Sequence, residues 1–362
     1  MDAKTVGLVC GVLVLLGAAT AVVWVLRRRS DSGIDPAIVQ TFWLRIRAWW
    51  IFCAVLVTAL VIAKTVTVFL FWLISFWALR EFITLTPTRP SDHRALFWVF
   101  FVVTPLQFLL VGLELYGFKL YGLHSILIPV YVFLFVQARI AMSGDAKRFL
   151  DRTAKIQAGL LICVYCLSYA PALLALPLSK PPAASAPSPT SDPVAQTDPA
   201  LEDPSENLLR RSTQNPDPGS NARLLFFFIL MVQLSDTLQY AWAQIPSKHV
   251  IVPTIHPGKT WEGLLGGAGS VALIGAALWW AIPPFPYWFA AGMAMVIALM
   301  GFAGAITMSA IKRDRGVRDF GTLVAGHGGI LDRIDSICFA APVFYHFTRY
   351  WLIYHGYMDA SA

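Results

Sequence analysis

Ten stretches of this chain, roughly 6–26, 48–63, 65–86, 95–115, 122–142, 157–178, 223–245, 263–282, 286–311 and 336–354, approach the length and apolarity of a helix that crosses a bilayer. Nothing else in the sequence restricts the fold as strongly. A chain surrounded by lipid has to satisfy its backbone polar groups internally, which predicts an all-α, polytopic transmembrane bundle of about ten spans. The count is nine if 48–86 crosses once, because 48–63 and 65–86 form either a hairpin around Lys64 or one span plus an interfacial helix. Composition agrees: 57% of the 362 residues are hydrophobic and 14% are charged, against about 25% charged in soluble domains. The net charge of +7 does not imply a nucleic-acid partner, since the basic residues sit in short clusters between apolar runs.

Those clusters orient the chain. Arg27, Arg28 and Arg29 follow the first apolar run and do not precede it, so it reads as a span and not as a signal peptide. With the N-terminus outside, most of the 28 Lys and Arg residues fall on one side, the cytoplasmic one by the positive-inside rule. Residues 179–222 interrupt the pattern with Pro181, Pro182, Pro187, Pro189, Pro193, Pro199, Pro204, Pro216 and Pro218. They are expected to form a disordered outer loop. It divides an N-terminal membrane region, 1–178, from a C-terminal one, 223–362. Cys163 and Cys166 have CxxC spacing but lie in an apolar run without a second pair, which argues against zinc or redox chemistry.

The chemistry is expected in SAIKRDRGVRDFGTLVAGHGGILDRID, from Ser309 to Asp335. Each of its charges would cost about 2.5–3.5 kcal/mol at the membrane centre, so the segment faces water. A solvated loop accounts for that much. Asp319, Asp332 and Asp335, however, are hard oxygen ligands of the kind Mg²⁺ takes. Lys312, Arg313 and Arg318 suit phosphate oxygens, and Gly326, Gly328 and Gly329 around His327 allow close backbone approach. Carboxylates, cations and a glycine-rich turn together suit a nucleoside triphosphate. A second polar island, His256-Pro257-Gly258-Lys259-Thr260-Trp261-Glu262-Gly263, precedes the small-residue run Gly266-Gly267-Ala268-Gly269. It lacks the spacing of a P-loop. Asp236 lies inside an otherwise apolar span and is a functional candidate for that reason. The bland alternative is a helix-packing bond to Ser235, Thr237 or Gln239.

These residues resemble the phosphatidate cytidylyltransferase family. Its C-terminal signature, S-x-x-K-R, K-D-F-G, then P-G-H-G-G-x-x-D-R-x-D, is matched by Ser309, Lys312-Arg313, Arg318-Asp319-Phe320-Gly321, Gly326-His327-Gly328-Gly329 and Asp332-Arg333-Ile334-Asp335. The family's S-P-K-K-T-x-E-G corresponds to 256–263, and its D-x-x-A-Y to Asp236 and Tyr240. The resemblance covers about 223–354. Departures are Arg318 for lysine, Ala325 for proline, His256 for serine and Gly258 for lysine. In addition, Gln239-Tyr240-Ala241-Trp242-Ala243-Gln244 has lost a glycine and an arginine.

The resemblance implies transfer of CMP from CTP to a phosphorylated lipid, phosphatidate above all, with release of pyrophosphate. The expected site has Asp319, Asp332, Asp335, Lys312 and Arg313 as catalytic residues. Lys259, Arg318, His327, Gly328, Gly329 and Arg333 would bind substrate. Mg²⁺ would be held by Asp319, Asp332, Asp335 and Asp236, with allowance for a second cation. The resemblance also implies a homodimer, and the bias of basic residues together with a cytosolic nucleotide predicts an inner-membrane location with the site facing the cytoplasm. Two other readings remain open: a CTP-dependent polyprenol- or phytol-type lipid kinase, and a transporter or membrane scaffold. A transporter would place its charges at broken helices near the midplane, whereas here they cluster in two loops on one side.

Overall fold

The computed structural model describes residues 3–28, 36–85, 89–179, 219–245, 249–317, 319–321 and 329–358. Ten long helices appear among them: α1 Ala3–Arg28, α2 Pro36–Ile62, α3 Lys64–Leu85, α4 Pro90–Glu114, α5 Tyr121–Ala141, α6 Phe149–Ala175, α7 Ser220–Trp242, α8 Trp261–Ala277, α9 Tyr287–Asp314 and α10 Leu331–Tyr354. A short antiparallel hairpin, β1 Val250–Val252 and β2 His256–Thr260, joins α7 to α8. The all-α, polytopic class is therefore as expected, and the chain is an integral membrane protein. The proposed outer loop falls almost entirely outside the described residues.

Eight helices, α1 to α7 and α9, are long and apolar enough to cross a membrane. The sequence suggested ten. The two that differ do so for identifiable reasons: α8 has 17 residues, and α10, past its charged first turns, still carries His346 and Arg349 among its apolar residues. Over 48–86 the chain forms two helices meeting at Ala63, with helical bonds from Ala63 N–H to Ala59 O (3.2 Å) and from Thr67 N–H to Ala63 O (3.3 Å) across the joint. The first of the two begins at Pro36, a favoured residue for an opening helical turn. Arg47, which reads from the sequence as a loop residue, is consequently well inside α2.

Burial separates centre from periphery. Two thirds of the apolar windows of α6 and α7 are buried, against 18% for α2. Leu79 of α3, Leu160 and Tyr169 of α6, Phe227 of α7 and Phe344 of α10 meet in the core. Glycine sets the spacing of the C-terminal helices, because without a hydrophobic drive between helices in lipid, close backbone approach carries the packing. A β-carbon on Gly267 of α8 would lie 2.6 Å from Gln239 Cγ of α7, and one on Gly304 of α9 would lie 2.8 Å from the Asp335 carbonyl of α10. Gly266 and Gly267 are thus a packing surface for α7. In the N-terminal half, Arg152 Nε of α6 bonds Asp92 Oδ1 at the start of α4 at 3.0 Å, with both side chains buried.

Candidate functional site

The helix ends carrying the charged segments converge on one cavity of about 640 Å³. Its polar end takes Asp236 from α7, His256 and Lys259 from β2, Lys312 from α9, Asp319, and Asp332 and Asp335 from α10. Its other wall is apolar and comes from α2 and α3, with Phe52, Val55, Leu56, Leu70, Phe71 and Ile74.

The hairpin delivers its two residues through local capping. Thr260 Oγ1 accepts the Gly263 N–H at 3.0 Å, the N-cap bond that starts α8. The Trp261 N–H donates to His249 O at 3.0 Å, closing the ladder. His256 is half-buried beside three cations. Burial first, then Lys259, Lys312 and Arg313, hold its imidazole below the usual histidine range, so it is neutral at pH 7. The Lys259 ammonium donates to Gln239 Oε1 at 3.0 Å and lies 5.3 Å from the Phe302 ring centroid. Gln239 is itself fixed, since its Nε2 donates to Ser235 Oγ (2.9 Å) and Ala298 O (3.2 Å).

Asp332 organises the entry to α10. Its Oδ1 accepts from Lys312 Nζ at 2.8 Å, and its Oδ2 accepts the backbone N–H groups of Phe320 (2.9 Å) and Gly329 (3.0 Å). Below it, Glu81 of α3, 4% exposed, accepts the Ile330 N–H at 3.0 Å and the Leu331 N–H at 2.9 Å. Two carboxylates thus answer the open N–H groups at the helix start, where negative charge is favoured. Gly321 and Gly329 press against the Glu81 carboxylate, and a β-carbon on Gly321 would lie 2.9 Å from its Oε1. Phe320 is buried against Phe82.

Asp236 and Asp335 face each other across α7 and α10. Ser336 links them: its hydroxyl lies 3.1 Å from Asp236 Oδ1 and 3.4 Å from Asp335 Oδ1. Asp236 is therefore bonded to another helix, α10.

Of the residues expected to act, Asp236, Lys259, Lys312, Asp319, Asp332, Arg333 and Asp335 line the cavity. Arg313 points elsewhere and donates from Nε to Ile255 O of the hairpin at 3.4 Å. The Gly329 amide, expected to meet a phosphate, is engaged by Asp332. Arg318, His327 and Gly328 lie outside the described residues. The four expected metal ligands do not form a single cluster: among the described residues no three His, Cys, Asp or Glu side chains converge as a metal-binding group. The set still fits Mg²⁺, which is commonly held by one or two carboxylates plus substrate phosphates. The Asp236–Asp335 pair, with Asp319 in the same cavity, supplies those carboxylates. The residues that the sequence did not single out are Glu81, Gln239 as the partner of Lys259, Ser336 and the α2–α3 wall. Only Glu81 left a signal, as a lone acid within an apolar span.

The chain is 34% identical over 311 residues to the uncharacterized protein YnbB of Escherichia coli strain K12, covering 85% of this chain and 87% of that one. It is 35% identical over 120 residues to a phosphatidate cytidylyltransferase of Staphylococcus aureus, which is 33% of this chain and 46% of that protein. A phosphatidate cytidylyltransferase of Synechocystis is 45% identical over 96 residues, 26% of this chain and 32% of that one. The sequence profile of the cytidylyltransferase family matches residues 43–351, which takes in the α2–α3 wall, the hairpin and both charged helix ends. This chain belongs to the cytidylyltransferase family.

Proposed function

We propose that the chain transfers the cytidylyl group of CTP to the phosphate of a phosphatidate-like lipid, giving CDP-diacylglycerol and pyrophosphate. The observation that carries this reading is the amphipathic cavity, in which a charged end suited to triphosphate adjoins an apolar wall suited to acyl chains. A lipid phosphate oxygen attacks the α-phosphorus of CTP. A new P–O bond forms there as the bond to the β-phosphate oxygen breaks, and pyrophosphate leaves with that electron pair. The nucleophile is already an anion at neutral pH, so no strong base is required. The barrier is the approach of two polyanions, which positioned cations lower.

Lys259 and Lys312 are those cations, each held by a partner, Gln239 and Asp332 respectively. Arg333 adds a third positive side chain to the cavity. Asp236, Asp335 and Asp319 are the residues that would hold Mg²⁺, which when bound neutralises phosphate oxygens and the departing pyrophosphate. Asp332, engaged by Lys312 and two backbone amides, would act by positioning those groups. The polar end faces the cytoplasm of a bacterial-type inner membrane, since the basic residues of 312–333 flank it.

Purified protein supplied with CTP labelled in the cytosine and with phosphatidate should yield labelled lipid and free pyrophosphate. Release of CDP with an unlabelled phosphorylated lipid would replace the transferase reading with a kinase. A reporter fused at Gly316 should behave as cytoplasmic.

A further inference from the structure

The catalytic end of the cavity is built by α7, α9, α10 and the hairpin, but its wall includes a cation that the reaction as described does not use. Arg47 lies in α2 and lines the cavity together with Lys312 and Asp335. Among the described residues nothing bonds its guanidinium, whereas Lys259 and Lys312 are already held by Gln239 and Asp332. Arg47, Ile51 and Val55 follow one another at intervals of four, so they share one line along the helix, with Phe52 and Leu56 on the adjoining line. From Arg47 to Leu56 this face extends roughly 13 Å at a rise of about 1.5 Å per residue. Leu70 and Ile74 of α3 line the same apolar part. Ile51 is 60% exposed and Val55 46% exposed, whereas Leu56 is buried, so the face is open beside Arg47 and closes against the bundle at its far end.

We infer that this face of α2 is the lipid subsite, where Arg47 receives the headgroup phosphate of a phosphomonoester lipid and Ile51, Phe52, Val55 and Leu56 carry its chains. The inference rests on the proposed lipid transferase reading and specifies which part of the cavity the lipid occupies. Its basis is complementarity: a cation that no described residue engages, at one end of an apolar strip, matches a ligand with one compact anion at the end of a hydrocarbon chain. A nucleotide has no use for the strip. Arginine suits the role because its planar fork bonds two phosphate oxygens at once and is held less tightly by water than an ammonium. The placement also brings the lipid phosphate to the border of the charged end, where Lys312 and the carboxylates lie.

The test uses the full chain in nanodiscs, with Arg47→Ala, Arg47→Lys and the groove-filling Val55→Trp. Two readouts are taken: KM for phosphatidate and for CTP, and retention of phosphatidate against phosphatidylcholine by the purified protein. Arg47→Ala is expected to raise the KM for lipid by about tenfold or more, to leave the KM for CTP within about twofold, and to lower phosphatidate retention. Arg47→Lys should recover part of the loss, and Val55→Trp should raise the lipid KM alone. Turnover by wild type with an unchanged lipid KM in Arg47→Ala would overturn the subsite and leave the transferase reading intact. A wild-type chain that retains phosphatidate in an Arg47-dependent way but forms no CDP-lipid would support the subsite and overturn the transferase reading. An increased KM for CTP in Arg47→Ala, with lipid retention unchanged, would assign Arg47 to the nucleotide and overturn the subsite.

Discussion

The Glu81 carboxylate of α3 accepts the backbone N–H of Leu331 at 2.9 Å, tying together positions 250 residues apart. Through this bond, and its companion to the Ile330 N–H, a buried acid of the N-terminal half fixes where α10 begins and hence where Asp332 and Asp335 stand.

Replacing Glu81 should therefore damage the site without touching a substrate. Glu81→Ala leaves two N–H groups unanswered, at about 1–3 kcal/mol for each buried donor. Its melting temperature in detergent should fall clearly and its activity with it, while Glu81→Gln, which keeps one acceptor oxygen, should fall less. Gly329→Ala, whose β-carbon would strike the Glu81 carboxylate, should be as harmful alone. It should cost less in a Glu81→Ala background, and a double-mutant cycle measures that coupling.

Asp332 and Asp335 should separate by phenotype. Asp332→Asn loses the ion pair to Lys312, so stability and activity should decline together, at any Mg²⁺ concentration. Asp335→Asn and Asp236→Asn should insert and purify normally yet need at least about tenfold more Mg²⁺ for half-maximal rate, since each removes one of few hard ligands. Mg²⁺ titrations beside thermal-shift curves distinguish the two patterns. Identical Mg²⁺ profiles for wild type and Asp335→Asn would refute the ligand assignment.

Gln239 should matter for rate although it touches no substrate. Gln239→Ala releases the Lys259 ammonium from its hydrogen bond. A hydrogen bond to a charged group contributes about 1.5–3 kcal/mol, so a loss of at least about tenfold in kcat/KM is expected. Lys259→Met should lose about a hundredfold or more, in line with removing an electrostatic group from a transition state. Combining the two substitutions should be no worse than Lys259→Met alone.

His256 should make stability pH-dependent. Its folded-state pKa is lowered, so below the ordinary value of about 6.5 the unfolded chain binds a proton that the folded chain refuses. The contribution is complete above about pH 6.5 and is lost as the pH falls below it. His256→Gln should flatten the decline of the melting temperature between about pH 6.5 and 5. An unchanged slope in that mutant would show that other groups set it.

How much of this was legible in the sequence depended on contrast. Asp236, Lys312, Asp319, Asp332 and Asp335 could be recognised because charge stands out against apolar spans, and all of them line one cavity. The roles of the carboxylates were less legible. Asp332 and Asp335 share a helix face by spacing, but only the fold shows that one meets Lys312 and backbone amides while the other faces Asp236. Glu81 was overlooked because its partners are main-chain N–H groups 250 residues away, which no side-chain pattern records. Arg47 falls just outside the apolar stretch 48–63, which hydropathy alone delimits, whereas the helix starts at Pro36. The small residues Gly266 and Gly267 that follow the second polar island serve contact between α7 and α8.

The Glu81–α10 contact also orders the making of the protein. A ribosome feeding this chain into the bilayer delivers α3 long before α10. During that interval Glu81 lacks the two N–H groups that answer it in the finished fold. Until α10 arrives, that carboxylate in the last turn of α3 has to be answered by water or by a proton. Chains interrupted before residue 330 would lack both partners, so order at the end of α3 depends on completion of the catalytic end.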